Sequence, residues 1–180
     1  TVGGHTFGNL GTRESVFEDK APAAIYVPSN MALTVRAAKD AEVALCTAPG
    51  GAKVREVRLL DPAKMTRSVR GQGTNTRYVC DILPHDDPTA AHLLVVEVIT
   101  PASHSSSYPP HKHDQEALPT ETMLEETYYH RLNPPQGFAF QRVYTDDRSL
   151  DEACAVENHD VVMVPRGYHP VVAPHGYDLY

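Results

Sequence analysis

The feature that most narrows the fold of this chain is a series of short, β-branched or aromatic runs cut apart by prolines and glycines. AAIYVP (23–28), ALTVRA (32–37), EVALC (42–46), HLLVVEVIT (92–100), ETYYHRL (126–132), FAFQRVYT (138–145) and DVVMVP (160–165) all have strand length and strand composition. Turn chemistry separates them, at residues 29–30 (SN), 48–52 (APGGA), 133–137 (NPPQG) and 166–167 (RG). Fifteen prolines and eleven glycines in 180 residues leave little room for long helices. The best helical stretch is DPAKMTRSV (61–69). This spacing predicts an all-β chain folded as a sandwich or barrel.

Two segments resemble each other. Residues 25–35 (IYVPSNMALTV) align with residues 162–172 (VMVPRGYHPVV), an offset of 162 − 25 = 137. Each has an apolar strand ending in Val-Pro, a tight turn at Asn30 or Gly167, and a second strand. A repeat at this spacing suggests two copies of one β domain. The expected organisation is a first copy, incomplete, over 1–49, a polar connector over 50–72, and a second copy over 73–180 that lacks its last strand or strands. The chain opens at Thr1 without Met and stops within a strand-like run, so a longer parent protein is expected.

The net charge of −7 and isoelectric point near 5.7 argue against nucleic acid or an anionic membrane as partner, since neither would be attracted. No run has the length of apolar sequence needed to span a bilayer. Cys46, Cys80 and Cys154 are odd in number and lack CxxC spacing, which suits reduced thiols in a cytoplasmic protein.

The chemistry concentrates in PPHKHDQEALPTETMLEETYYH (109–130). His111 and His113 are two apart, so in an extended strand both imidazoles point to one face and can converge on one ion. Glu116 and Glu121 flank Pro119 in an aperiodic stretch, whereas Glu126 opens a strand on which it shares a face with Tyr128 and His130. Glu126 is therefore the favoured carboxylate. His169, just after the Val-Pro-Arg-Gly turn, is the favoured third imidazole; its counterpart in the first copy is Ala32, so only one copy would bind metal. His159, in an acidic turn, and His175, after a proline, are the competitors. Three histidines and one carboxylate suit Zn²⁺, Mn²⁺ or Fe²⁺, with positions left for substrate.

These residues resemble the two motifs of the cupin superfamily. His111, His113 and Glu126 match the first, and Pro165, Gly167 and His169 match the second. The chain departs from the pattern in a longer insertion between His113 and Glu126 and in one residue fewer before His169. GTNTRYVCDILP (73–84), LLVVEVITP (93–101), SSYPPHKHD (106–114), LEETYYHRLNPPQGFAFQRVYTDDRSLDE (124–152) and VVMVPRGYHPVVAPHGYDLY (161–180) are similar to the 5-deoxy-glucuronate isomerase family of myo-inositol catabolism. That is a bicupin family related to the 5-keto-4-deoxyuronate isomerases of pectin degradation.

The resemblance implies a double-stranded β-helix (jelly roll) and an aldose–ketose isomerisation of a small sugar acid. It also implies a divalent metal, zinc first, at His111, His113, Glu126 and His169. Within it, His130 is the expected proton shuttle, and Tyr128 would orient an oxygen. Arg142 would meet the substrate carboxylate, provided that the face of FAFQRVYT bearing Phe138, Phe140, Arg142 and Tyr144 lines the barrel. A cupin oxygenase using iron, the pectin-pathway isomerase and a sugar-acid binding protein without turnover are the alternatives. A homo-oligomer stays open.

Overall fold

The computed structural model describes residues 1–51 and 55–180, and parts of the turn expected at 48–52 and of the connector expected at 50–72 lie outside them. The chain divides into two compact units. One comprises Thr1–Arg67 with Cys80–Glu97, the other Ser68–Val79 with Val98–Tyr180. The strands in chain order are β1 (Ala24–Tyr26), β2 (Arg58–Leu60), β3 (Thr66–Arg70), β4 (Arg77–Leu83), β5 (Val95–Ile99), β6 (Ser105–Ser106) and β7 (Glu126–Tyr129). There follow β8 (Leu132–Asn133), β9 (Phe138–Tyr144), β10 (Asp151–Glu157), β11 (Val161–Val164), β12 (Val171–Val172) and β13 (Asp178–Leu179). Among the described residues the helical turns are two short 3-10 segments, Pro62–Lys64 and Gly73–Asn75. The chain is all-β, as its short β-branched runs predict. No helix of the described residues is long and apolar enough to cross a membrane.

In the first unit, β1 pairs antiparallel with β2, Ala24 opposite Leu60 and Tyr26 opposite Arg58. Arg13 grips Glu97 through two hydrogen bonds of 2.9 and 2.7 Å, with both side chains about nine-tenths covered. The runs at 32–37 and 42–46 do not form the expected strands: Leu33 makes only an isolated bridge to Val2, and Val43 and Leu45 are 60% and 75% exposed. Strand propensity measures fit to a pleated, half-covered surface, and among the described residues no strand pairs with these runs. The helix expected at 61–69 shrinks to Pro62–Lys64. Asp61 caps it by accepting from the Ala63 N–H at 3.0 Å, and the alternating Thr66–Arg70 then runs on as β3. Asn30 has φ +63° and Gly167 φ +89°, so the two turns of the internal repeat share a left-handed corner. The strands after the corners differ, since Val171–Val172 pairs on both sides whereas Thr34–Val35 lies in no strand.

The second unit carries a four-stranded sheet in the order β10-β9-β12-β6, with the pairs β11-β7 and β13-β8 beside it. Alternation in β9 buries Ala139, Gln141 and Val143 and turns Phe138, Phe140 and Arg142 outward. The buried apolar face joins Leu132, Val156, Val162, Val164, Val171, Ala173 and Leu179 in one core. Each such valine or leucine contributes about 1.5–3 kcal/mol on burial. This reverses the expected sense of β9: the face of Phe138, Phe140, Arg142 and Tyr144 does not line the interior. The aromatic residues and the arginine looked like a cavity wall in sequence. The small Ala139 and Val143, however, are the residues that pack against the neighbouring strands.

Candidate metal centre

Three elements of the second unit bring the candidate ligands together. β7 pairs with β11 in a register that sets Glu126 opposite Val164. The chain then leaves β11 through Pro165, turns at Gly167 and enters β12 two residues past His169. The segment 107–125 between β6 and β7 supplies His111 and His113. That segment forms no strand at the two histidines, in contrast to the expected extended pair, yet their rings still converge.

The ligand atoms of His111, His113 and His169 all lie within 4.8 Å of one another. The ring centroids are 5.0 Å apart for His111 and His113, 4.7 Å for His111 and His169, and 5.6 Å for His113 and His169. His169 is buried and His111 lies at the exposed rim. This group could hold a metal ion. Glu126 stands beside it, with Oε2 2.8 Å from Nε2 of His169.

The buried polar atoms test whether a cation fits. His169 donates from Nδ1 to the Gly167 carbonyl at 3.0 Å, which leaves Nε2 as the lone-pair nitrogen of the neutral ring. That Nε2 and the Glu126 Oε2 are both closed to solvent, and their geometry makes no hydrogen bond for either. A lone pair and an anionic oxygen at van der Waals contact or closer repel unless a positive charge stands between or upon them. The donor set fits a divalent ion.

The electrostatics divide between His111 and the His169–Glu126 pair. Burial lowers the pKa of His111, and the neighbouring His169 and His113 lower it further, so its ring favours the neutral, ligating form. For Glu126 burial pulls upward, but the facing imidazoles, His169 foremost, outweigh it and keep the carboxyl below its ordinary range. For His169 burial pulls downward, and the Glu126 carboxylate outweighs it and raises the imidazole. A proton on Nε2 of His169 would thus satisfy the same pair, and a cation bound there takes the place of that proton.

Tyr128 and His130 follow Glu126 inward. The Tyr128 hydroxyl meets Ser107 Oγ at 2.9 Å, and its ring lies 5.9 Å from those of both His130 and His169. Burial, with the Glu126 charge behind it, pushes the phenol well up, so it stays protonated. His130 is 2% exposed and lies outside the converging group, its Nε2 2.9 Å from Gln141 Oε1. Sequence reasoning missed Gln141. It lies on the buried face of β9, and a polar residue between Ala139 and Val143 on a period of two was the signal that could have found it.

Arg142 and Tyr144 are placed elsewhere. Arg142 makes two hydrogen bonds to Asp151, at 2.7 and 2.8 Å, on the outer face. The Tyr144 ring stacks on Tyr168 at 5.0 Å, with the guanidinium groups of Arg142 and Arg148 over it at 4.8 and 4.4 Å. The competitors His159 and His175 also lie apart from the group; His159 Nδ1 meets the Tyr129 hydroxyl at 2.7 Å and His175 is exposed near Ser103. Of the spare carboxylates, Glu121 accepts from the N–H groups of Asp114 and Gln115, at 2.6 and 2.9 Å, and shapes the inserted loop. Glu116 and Glu125 are exposed. A cavity of about 630 Å³ opens beside His113, with Lys112, Asp114, Leu124, Thr145 and Arg166 among its walls.

The profile of the KduI/IolB family matches residues 1–180. The 5-deoxy-glucuronate isomerase of Halalkalibacterium halodurans is 54% identical over 175 residues, which is 97% of this chain and 64% of that protein. The 5-deoxy-glucuronate isomerase of Shouchella clausii is 52% identical over 180 residues, 100% of this chain and 66% of that protein. The crystal structure of an IolB-like protein from Salmonella typhimurium superposes with a TM-score of 0.94 at 50% identity, covering 99% of this chain and 67% of that one. The chain thus spans just under two thirds of the length of these curated relatives.

Proposed function

This chain belongs to the KduI/IolB family, and we propose on that ground that it acts as a 5-deoxy-glucuronate isomerase. The reaction is the aldose–ketose isomerisation of 5-deoxy-D-glucuronate to 5-dehydro-2-deoxy-D-gluconate in myo-inositol breakdown. The observation that carries the reading is the convergence of His111, His113 and His169 beside Glu126, in a chain 54% identical to a protein of that name. The fold is read as a cupin jelly roll, with 1–49 the remainder of a first cupin without ligands, 50–72 a connector and 73–180 the metal-binding cupin. All four candidate ligands fall within the second compact unit, which supports a site in the later part of the chain, while residues 80–97 group with the first unit. The protein is read as cytoplasmic, acting on a small sugar acid, and a homo-oligomer is compatible with this.

His111, His113, His169 and Glu126 would hold the divalent ion, zinc in the first place and manganese or iron in the second. When bound, such an ion polarises a carbonyl and its neighbouring hydroxyl and offsets negative charge that develops on them. The chain's own residues do the rest. The isomerisation moves a proton between adjacent carbons and another between their oxygens. Tyr128, kept neutral by burial, is suited to hold a substrate oxygen through its hydroxyl proton. Because Gln141 occupies Nε2 of His130 and the ring is closed to solvent, His130 suits a positioning role better than the shuttle it was expected to be. The outward Arg142 and Tyr144 take no part in this reading.

The test is incubation of the zinc-, manganese- or iron-loaded protein with 5-deoxy-D-glucuronate, following loss of the aldose and appearance of the ketose by NMR. Ketose formation that requires metal supports the proposal. A metal-loaded, folded protein that forms no ketose overturns it.

A further inference from the structure

We propose that Asp114 is a positioning residue that clamps the turn before His169 and so sets the separation of the three imidazoles. The inference rests on the metal-binding reading above and extends it to a residue outside the donor set. Asp114 follows His113 directly, and its Oδ1 accepts the N–H of Gly167 at 2.6 Å. The carbonyl of the same Gly167 accepts the Nδ1–H of His169 at 3.0 Å. One residue of the first motif thereby holds the residue of the second motif that orients the buried imidazole. A carboxylate accepting from an amide makes a stronger and more directional tether than a neutral acceptor does.

The tether has fixed ends. At one end Glu121 accepts the N–H of Asp114 itself at 2.6 Å, which anchors the aspartate in the inserted loop. At the other, Gly167 sits at φ +89° with Tyr144 O only 2.5 Å from where a Cβ would stand, so the turn is pressed against β9. The residue between the histidines reinforces the arrangement. Lys112 pairs with Asp146, and its ammonium lies 5.2 Å from the centre of the Tyr168 ring. In the run His111-Lys112-His113-Asp114 the imidazoles thus face the centre, while the two charged residues fasten it to the turns at 145–147 and 166–168. Residues that orient metal ligands typically change affinity by about 10- to 100-fold when removed.

The experiment compares the 180-residue chain with Asp114→Ala and Asp114→Asn. Zinc affinity is read by competition with a chromophoric chelator, ligand geometry from the visible spectrum of the Co²⁺-loaded protein, and the tether from hydrogen exchange of the Gly167 amide. Asp114→Ala is expected to bind zinc about 10- to 100-fold more weakly, with an altered Co²⁺ spectrum and faster Gly167 exchange. Asp114→Asn keeps an acceptor oxygen and should recover most of the affinity. Wild-type affinity and spectrum in the alanine variant overturn the proposal, as does an asparagine variant as weak as alanine. Should Asp114→Ala fail to fold, Asp114→Asn decides through the tether itself: the weaker neutral acceptor should speed exchange of the Gly167 amide, and unchanged exchange overturns the clamp. A wild-type chain that takes up no metal overturns the metal reading instead. Gly167 exchange then decides the clamp alone, faster exchange in Asp114→Ala supporting it and unchanged exchange overturning it.

Discussion

His130 donates from Nε2 to Gln141 Oε1 across 2.9 Å, and the two side chains are 2% and 1% exposed. The orientation of the amide is fixed from its other end, where Nε2 of Gln141 points at the His169 carbonyl at 3.5 Å. The buried face of β9 thus carries a polar link between two buried histidines. Burial lowers the pKa of His130 below the ordinary 6.5, against the smaller upward pull of the Gln141 contact. As pH falls through 6.5, the unfolded chain takes up this proton before the folded one does. The stability is therefore full above that pH and is lost on the way down, until the folded imidazole titrates too. Denaturant titrations from pH 8 to 5 should show falling stability, with a shallower fall in His130→Gln.

Gln141→Leu should leave the Nε2–H of His130 buried without an acceptor. The expected loss is about 1–3 kcal/mol of unfolding free energy, measurable as a lower denaturation midpoint at unchanged slope. Gln141→Glu should instead raise the pKa of His130, since a carboxylate favours the imidazolium, and NMR titration of the ring would read this directly.

His169→Ala and Glu126→Gln should both abolish or greatly weaken metal uptake, the first by removing a ligand and the second by removing the charge beside it. His159→Ala and His175→Ala lie apart from the converging group and should retain it. Metal content after dialysis against a weak chelator distinguishes the four. Retention in His169→Ala together with loss in either control would move the site elsewhere.

Gly167→Ala meets two obstacles together, a φ of +89° and a backbone oxygen 2.5 Å from the new methyl. The left-handed conformation alone should destabilise by about 1–2 kcal/mol, and the clash adds to it. Thermal melting gives the first effect, and the shift of the turn under His169 should appear as weaker zinc binding.

Arg142→Ala breaks an ion pair whose partners are 48% and 32% exposed and screened by solvent, so the denaturation midpoint should barely move. Since the side chain is on the outer face, KM for the sugar acid should be unchanged. A large rise in KM with unaltered kcat would return Arg142 to the role of carboxylate partner.

Much of this molecule was legible in its residues because the signals are local. The strands at 24–26, 95–99, 126–129, 138–144 and 161–164 lie where β-branched residues cluster between turn formers. Gly167 marks a corner that only a residue tolerant of positive φ makes without strain. His111, His113, Glu126 and His169 could be chosen because HxH, a strand-opening Glu and a His after a tight turn are patterns of a few residues each. What escaped depended on neighbours far along the chain. ALTVRA and EVALC have strand composition, but among the described residues no strand pairs with them. Period-two alternation splits β9 into two faces without saying which is inside, since that is decided by whichever face meets Val156, Val171 and Ala173. The partner of His130, eleven residues away, was likewise set by packing, because a buried imidazole must find its acceptor among the side chains that the folded sheet brings to it.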